Sequence, residues 1–135
     1  IGYHLAVSLH AADDALRDQL VPVNKKNGLQ PILAAADRYF ESSGRRLTFE
    51  YVLLADVNDR ERDAQRLVEL LRGRSALLNL IPYNPVDGLV YRTPSTKSLS
   101  RFRSILTQGG LNVKVRQRKG DKINAACGQL RRRSV

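Results

Sequence analysis

Methionine is absent from all 135 residues, even at position 1, so the chain is expected to start inside a larger gene product or after processing. Cysteine occurs once, as Cys127, and cannot close an internal disulfide. A reducing compartment, the cytoplasm, is therefore expected. No apolar run approaches the roughly 20 residues that span a bilayer, and no leader pattern opens the chain. One cysteine and two histidines give no C-x-x-C or H-x-x-x-H spacing, so no metal centre is expected within the chain itself. A Gly-rich phosphate loop is also missing. A Ser/His/Asp hydrolase is disfavoured: Ser8 and His10 project side by side, and no nucleophile elbow surrounds Ser8.

Acidic residues are scarce in the last third. Residues 1–90 carry 11 basic and 12 acidic side chains, whereas residues 91–135 carry 12 basic residues and one acid, Asp121. The net charge of +10 is thus a surplus of +11 in residues 91–135 set against −1 in the rest. A basic excess is often only a solvated face, but this concentration points to a polyanion. Nucleic acid fits better than a membrane, because the basic residues do not form one face of an amphipathic helix. The length allows one domain, burying about 70% of its unfolded surface.

Periodicity organises the rest. Residues 3–10 alternate, with His4, Ala6, Ser8 and His10 on one side and Leu5, Val7 and Leu9 on the other, which predicts a strand. Asp13 and Asp14 open a short helical turn that Pro22 ends. Pro31 marks a helix start, Ile32, Ala35, Ala36, Tyr39 and Phe40 its apolar stripe, and Gly44 its stop. Residues 47–54 alternate as a second strand. Asn58-Asp59-Arg60-Glu61 is a helix-start signal, with Ala64, Leu67, Val68 and Leu71 facing inward. Residues 77–81 form a third strand before the rigid Pro82-Tyr83-Asn84-Pro85 loop, and a polar connection runs to Thr93. A fourth helix over about 95–108, with Leu99, Phe102, Ile105 and Leu106 inward, ends at Gly109-Gly110 before a last strand at 111–116. The expected fold is α/β, alternating β/α units with a parallel sheet. Functional residues should then gather at the C-terminal strand ends. Four strands are too few to close a barrel, and exposed edges favour self-association of an isolated piece.

Two residues keep two readings each. Glu50, inside an apolar strand, is either a satisfied interior carboxylate or part of a site lining. Cys127 is either a small buried hydrophobe or a reactive thiol. For the second, Ala125, Ala126 and Gly128 give it no bulky cover, and Lys119, Lys122 and Arg131 to Arg133 favour thiolate. Ser8 and His10, at a strand end, could bind a small polar ligand.

Six stretches occur in order: Ala6-Val7-Ser8-Leu9-His10-Ala11, Arg17-Asp18-Gln19-Leu20-Val21-Pro22-Val23-Asn24-Lys25-Lys26, Glu50-Tyr51-Val52-Leu53-Leu54, Val57-Asn58-Asp59, Asn79-Leu80-Ile81-Pro82-Tyr83-Asn84-Pro85 and Gly120-Asp121-Lys122-Ile123-Asn124-Ala125-Ala126-Cys127-Gly128-Gln129-Leu130. Together they resemble the C-terminal half of the bacterial radical S-adenosylmethionine (SAM) RNA methyltransferases that methylate adenine C2 in 23S ribosomal RNA and certain transfer RNAs. The resemblance implies the second half of a partial (β/α)6 barrel over about 1–116, then a catalytic-cysteine loop and basic tail over about 117–135. It implies SAM contacts at Ser8, Leu9, His10 and Asn84, and a methyl-carrying Cys127. One SAM would methylate that sulfur; a radical from a second would activate the methyl group for transfer through a covalent RNA adduct. It also implies a 4Fe–4S cluster and a reductant such as flavodoxin. The cluster cysteines, the Gly-Glu pair that contacts SAM, a second reactive cysteine and a general-base glutamate are not in this chain, so the isolated piece is expected to be inactive.

On this reading the basic residues Lys114, Arg116, Arg118, Lys119, Arg131, Arg132 and Arg133 touch RNA phosphates. The alternatives are a sister enzyme acting at adenine C8, a non-catalytic RNA-binding module, and an unrelated barrel enzyme of phosphorylated metabolites.

Overall fold

A computed structural model describes residues 6–21, 28–44, 47–74, 76–85 and 90–116. Four strands, β1 (Ala6–Ser8), β2 (Leu47–Leu53), β3 (Ala76–Pro82) and β4 (Asn112–Val115), lie side by side in sequence order. All three pairings are parallel, as the alternation of strands and helices predicts. Parallel neighbours need crossovers, supplied here by α1 (Asp14–Leu20) with α2 (Leu29–Ser43), by α3 (Glu61–Leu71) and by α4 (Thr96–Gln108).

Each crossover steps to the next strand in the same direction. With one handedness, α2, α3 and α4 all fall on one face of the sheet. Leu47, Phe49, Tyr51 and Leu53 of β2 and Leu78 and Leu80 of β3 meet these helices in the main core. The alternate strand residues face the other way, where described neighbours come from α1 and from Val57 and Tyr91 in the loops. There Leu20 and Val21 pack with Val52, Leu54, Ile81 and Tyr83, in a second cluster confined to the C-terminal half of the strands.

Local signals explain most boundaries. Asp13 Oδ1 accepts from the Leu16 N–H at 2.8 Å and starts α1. Asp14 has a second role: its Oδ1 accepts from the Leu29 N–H at 2.9 Å and ties the start of α2 to α1. That tie sets the rotation of α2. Its buried stripe is Leu29, Leu33 and Ala36, while Ala35 and Phe40, expected inward, are exposed. Pro31 sits in the third helical position, whose N–H has no partner within the helix, so the helix begins two residues earlier than the proline suggests. Gly44 ends α2 in the left-handed region, at φ 70°.

The start of α3 also differs from expectation. Its N-cap is Arg60, and the Asp63 carboxylate accepts from the Arg60 N–H at 3.1 Å and from its Nε at 2.7 Å. This contact raises the Arg60 pKa above its ordinary value. Strand β3 continues to Pro82, in register with Leu53, so the first proline of the loop ends the strand from inside it. The connection to α4 is packed. The Ala55 N–H donates to the Arg92 carbonyl at 2.9 Å, Thr93 Oγ1 donates to the Tyr83 carbonyl at 2.6 Å, and the Tyr83 and Tyr91 rings meet edge to face at 5.9 Å.

Candidate functional site at the strand ends

The ends of β1 and β2 meet at the turn after β1. The Leu9 N–H continues the ladder by donating to the Glu50 carbonyl at 2.8 Å. The chain then turns at His10, which takes φ 60°, a costly conformation for a non-glycine residue. Three side chains hold it there. Arg17, 4% exposed, donates from Nε to the Leu9 carbonyl at 3.0 Å and from a terminal nitrogen to the Ser8 carbonyl at 2.8 Å. Burial lowers the Arg17 pKa, while Asp14 and Asp18 oppose that shift. Asn58 donates from Nδ2 to the carbonyls of His10 and Val52, both at 2.9 Å, and its Oδ1 accepts from the Leu54 N–H at 2.7 Å. The Tyr51 hydroxyl donates to the Asn58 carbonyl at 2.8 Å. Burial pushes the Tyr51 pKa well above its usual value.

The expected ligand residues take different positions around this turn. The Leu9 side chain is fully buried in the main core, so only its backbone faces the turn. His10 is fully buried, and its Nδ1 accepts from the Val52 N–H at 3.1 Å. Ser8 is half-buried on the side of the sheet that α2, α3 and α4 leave uncovered. Asn84 is exposed, two residues beyond the end of β3. Lys114 and Arg116 are exposed on and just after β4, with the Arg116 N–H donating to the Leu80 carbonyl at 2.8 Å. Cys127, Arg118, Lys119 and Arg131 to Arg133 lie outside the described residues, as do His4 and Pro22.

Arg17 and Asn58 were legible only as parts of motifs, not as the residues that fix this turn. Asn58 read as a helix cap because Asn before an acidic residue is the ordinary cap signal. Arg17 gave no signal, since a buried arginine on a short helix looks in sequence like any surface arginine. The sheet register adds a polar row that alternation alone could not align: Ser8 pairs with Glu50, Glu50 with Asn79, and Asn79 with Lys114. Glu50 is half-buried and Asn79 is 4% exposed.

Among the described residues, no group of three or more His, Cys, Asp or Glu side chains could hold a metal ion. These residues do not fit an iron–sulfur cluster. No described helix is long and apolar enough to cross a membrane.

A four-stranded parallel sheet in sequence order, with its helices on one face and a strained turn at a strand end, is the arrangement of an open segment of a β/α barrel. Among solved structures, the chain superposes on a radical SAM methyltransferase from Sphaerobacter thermophilus with TM-score 0.87 and 46% identity, over 97% of this chain and 38% of that one. A domain of pyruvate-formate lyase-activating enzyme from Bacteroides vulgatus, 22% identical with TM-score 0.64, shares the fold over 83% of this chain and 66% of that one.

The "Probable dual-specificity RNA methyltransferase RlmN" of Rhodopirellula baltica is 65% identical over 132 residues, 98% of this chain and 36% of the relative. The "Dual-specificity RNA methyltransferase RlmN" of Magnetococcus marinus is 49% identical over 97% of this chain and 37% of its own length. No family model matches the chain. Over nearly its whole length the chain is similar to one part of these RlmN RNA methyltransferases and of the radical SAM methyltransferase, and it spans a little over a third of their length.

Proposed function

We propose that the chain is the SAM-contacting and methyl-carrying portion of an RNA methyltransferase that acts at adenine C2 of 23S ribosomal RNA and transfer RNA. The 65% identity to the Rhodopirellula relative, sustained over nearly the whole chain, carries this reading. The turn after β1 fits it physically. Arg17 and Asn58 consume the carbonyls of Ser8, Leu9 and His10 and hold the backbone in one shape. A turn so fixed can receive a ligand without first paying to become ordered. Ser8 then presents its hydroxyl toward the open face, and Asn84 stands two strands away at the same end of the sheet.

In this assignment Ser8, Leu9, His10 and Asn84 contact SAM, and Cys127 carries the methyl group that reaches the base. A carrier suits the substrate, because C2 of adenine is electron-poor and does not attack SAM unaided. A 4Fe–4S cluster, and the surface for a reductant such as flavodoxin, would be supplied by parts of the whole protein outside these 135 residues. The isolated 135 residues should therefore cleave no SAM. Lys114 and Arg116, with the basic residues that follow, meet RNA phosphates. The setting is the cytoplasm, and the exposed sheet edges favour self-association of the isolated chain.

Substituting Cys127→Ala in the full-length protein tests the assignment. Methylation of 23S RNA should vanish while RNA binding stays within a few-fold of the parent. Surviving methylation would remove Cys127 as carrier. Mass spectrometry of the digested RNA should show 2-methyladenosine; 8-methyladenosine would move the reaction to the sister position.

A further inference from the structure

We propose that Glu50 and Asn79 form an acceptor pair on the open face of the sheet that receives hydrogen-bond donors of SAM, next to Ser8. This rests on the reading that the β1 end holds SAM, and adds to it two residues of neighbouring strands.

Three observations point the same way. The first is register. Ser8, Glu50 and Asn79 are direct partners on adjacent parallel strands, so their side chains stand in one row about 4.8 Å apart. The second is an unmet hydrogen bond. Asn79 is 4% exposed, yet its Oδ1 finds no hydrogen-bond partner among the described residues. A buried amide oxygen left unpaired costs stability, and such atoms commonly await a ligand or water. The third is charge. Glu50 is half-buried, and no ion pair or side-chain hydrogen bond involving it is found among the described residues, although five other acidic–basic pairs are.

Structural service does not account for this pair. A carboxylate and an amide kept in an otherwise apolar strand pair would ordinarily bond to each other or to the backbone. Neither is found among the described residues. The row instead offers a carboxylate and an amide oxygen side by side, both acceptors. SAM carries matching donors in its ribose hydroxyls and its ammonium group. A carboxylate can accept from both hydroxyls of a vicinal diol, or pair with the ammonium. Lys114, at the far end of the row, is exposed and stands beside Asn79 rather than Glu50, which leaves the Glu50 carboxylate to the side nearer Ser8.

The test is equilibrium binding to the reconstituted full-length holoenzyme under anaerobic conditions. The probes are S-adenosylhomocysteine, which cannot donate a methyl group, and 5′-deoxyadenosine, which keeps the ribose diol and lacks the amino acid. Glu50→Gln and Asn79→Leu should each weaken S-adenosylhomocysteine roughly 10- to 150-fold, as expected for lost hydrogen bonds to a charged or buried group. The same loss with 5′-deoxyadenosine assigns the pair to the ribose; a loss confined to S-adenosylhomocysteine assigns it to the ammonium.

Thermal unfolding without ligand separates this from a structural role. Asn79→Leu removes an unpaired buried oxygen and should leave the melting temperature unchanged or higher. A folded Asn79→Leu and Glu50→Gln that bind both probes like the parent would overturn the proposal. So would a loss seen only with RNA. Ser8→Val in the same assay keeps the two readings apart. If Ser8→Val weakens binding and the Glu50 and Asn79 variants do not, only the acceptor pair fails. If none of the three matters, SAM does not bind at this strand end at all.

Discussion

Arg17 donates from Nε to the Leu9 carbonyl at 3.0 Å, so a helix side chain clamps the strand end eight residues before it. The same guanidinium reaches the Ser8 carbonyl at 2.8 Å. Ser8 is the last residue of β1 and Leu9 the first beyond it. A planar fork can serve two adjacent carbonyls at once, which a lysine ammonium does less well.

Arg17→Ala should therefore destabilise the protein by about 2–4 kcal/mol, the range for losing buried hydrogen bonds to a charged group. Arg17→Lys should recover only part of this. Urea unfolding measures both. If the clamp also pre-shapes the ligand turn, the affinity for S-adenosylhomocysteine falls with Arg17→Lys even where folding is restored by low temperature.

Asn58 gives a pH signature. Its Nδ2 donates to the carbonyls of His10 and Val52, and its Oδ1 accepts from the Leu54 N–H. Asn58→Asp keeps the acceptor and replaces the donor with a second oxygen facing two carbonyl dipoles. The new carboxyl would have its pKa raised in the folded state, by burial and by those dipoles. A raised acid contributes stability only below its unfolded pKa, and that contribution is lost as pH rises. The variant should thus be closest to the parent near pH 4 and fall away toward pH 7. A constant difference across that range would mean that the donor geometry is not what holds the turn.

The order of elements and the parallel pairing were legible in the sequence, because period-two and period-3.6 patterns survive folding almost unchanged. The rotation of α2 was not. Phe40 and Ala35 share the apolar stripe by spacing, but Asp14 anchors Leu29 from another helix and turns that stripe toward Leu33 and Ala36. His10 was expected to share a ligand-facing side with Ser8 by alternation. The backbone leaves the strand at φ 60°, alternation ends there, and the ring goes into the interior. Glu50 and Asn79 were visible as oddities in apolar runs. Only the register, which depends on contacts across crossovers, shows that they are neighbours.

Two ionisable groups set opposite ends of the pH profile. Burial raises the Asp59 pKa from its ordinary value of 3.8. Its folded form then prefers the proton, so stability declines as pH rises from about 4 through the folded pKa. Asp59→Asn retains the acceptor for the Asp56 N–H, made at 2.9 Å, and should remove that decline. Burial likewise raises Tyr51 well above 10.0, so stability should drop as pH climbs past the unfolded value. Tyr51→Phe should lose about 1 kcal/mol at pH 7 with the Asn58 hydrogen bond, and should lessen the alkaline drop. Denaturation curves from pH 4 to 11 test both, and an unchanged acidic slope in Asp59→Asn would discard the first.

Gly109 and Gly110 together end α4, but for different reasons. Gly110 takes φ 91°, where a side chain is strained. Gly109 has φ −79° and could conformationally be any residue; space forbids it. A Cβ there would lie 2.6 Å from both Val68 methyl carbons, and Val68 is a core residue of α3. Gly109→Ala should therefore cost about 1–3 kcal/mol through overpacking, without changing the end of the helix. Because the obstacle is one side chain, Val68→Ala should relieve it. The double variant should be more stable than the sum of the two single losses by about 0.5–3 kcal/mol, the scale of coupling between touching residues. Simple additivity in a urea-unfolding double-mutant cycle would show that the α3–α4 approach is not what requires glycine at position 109.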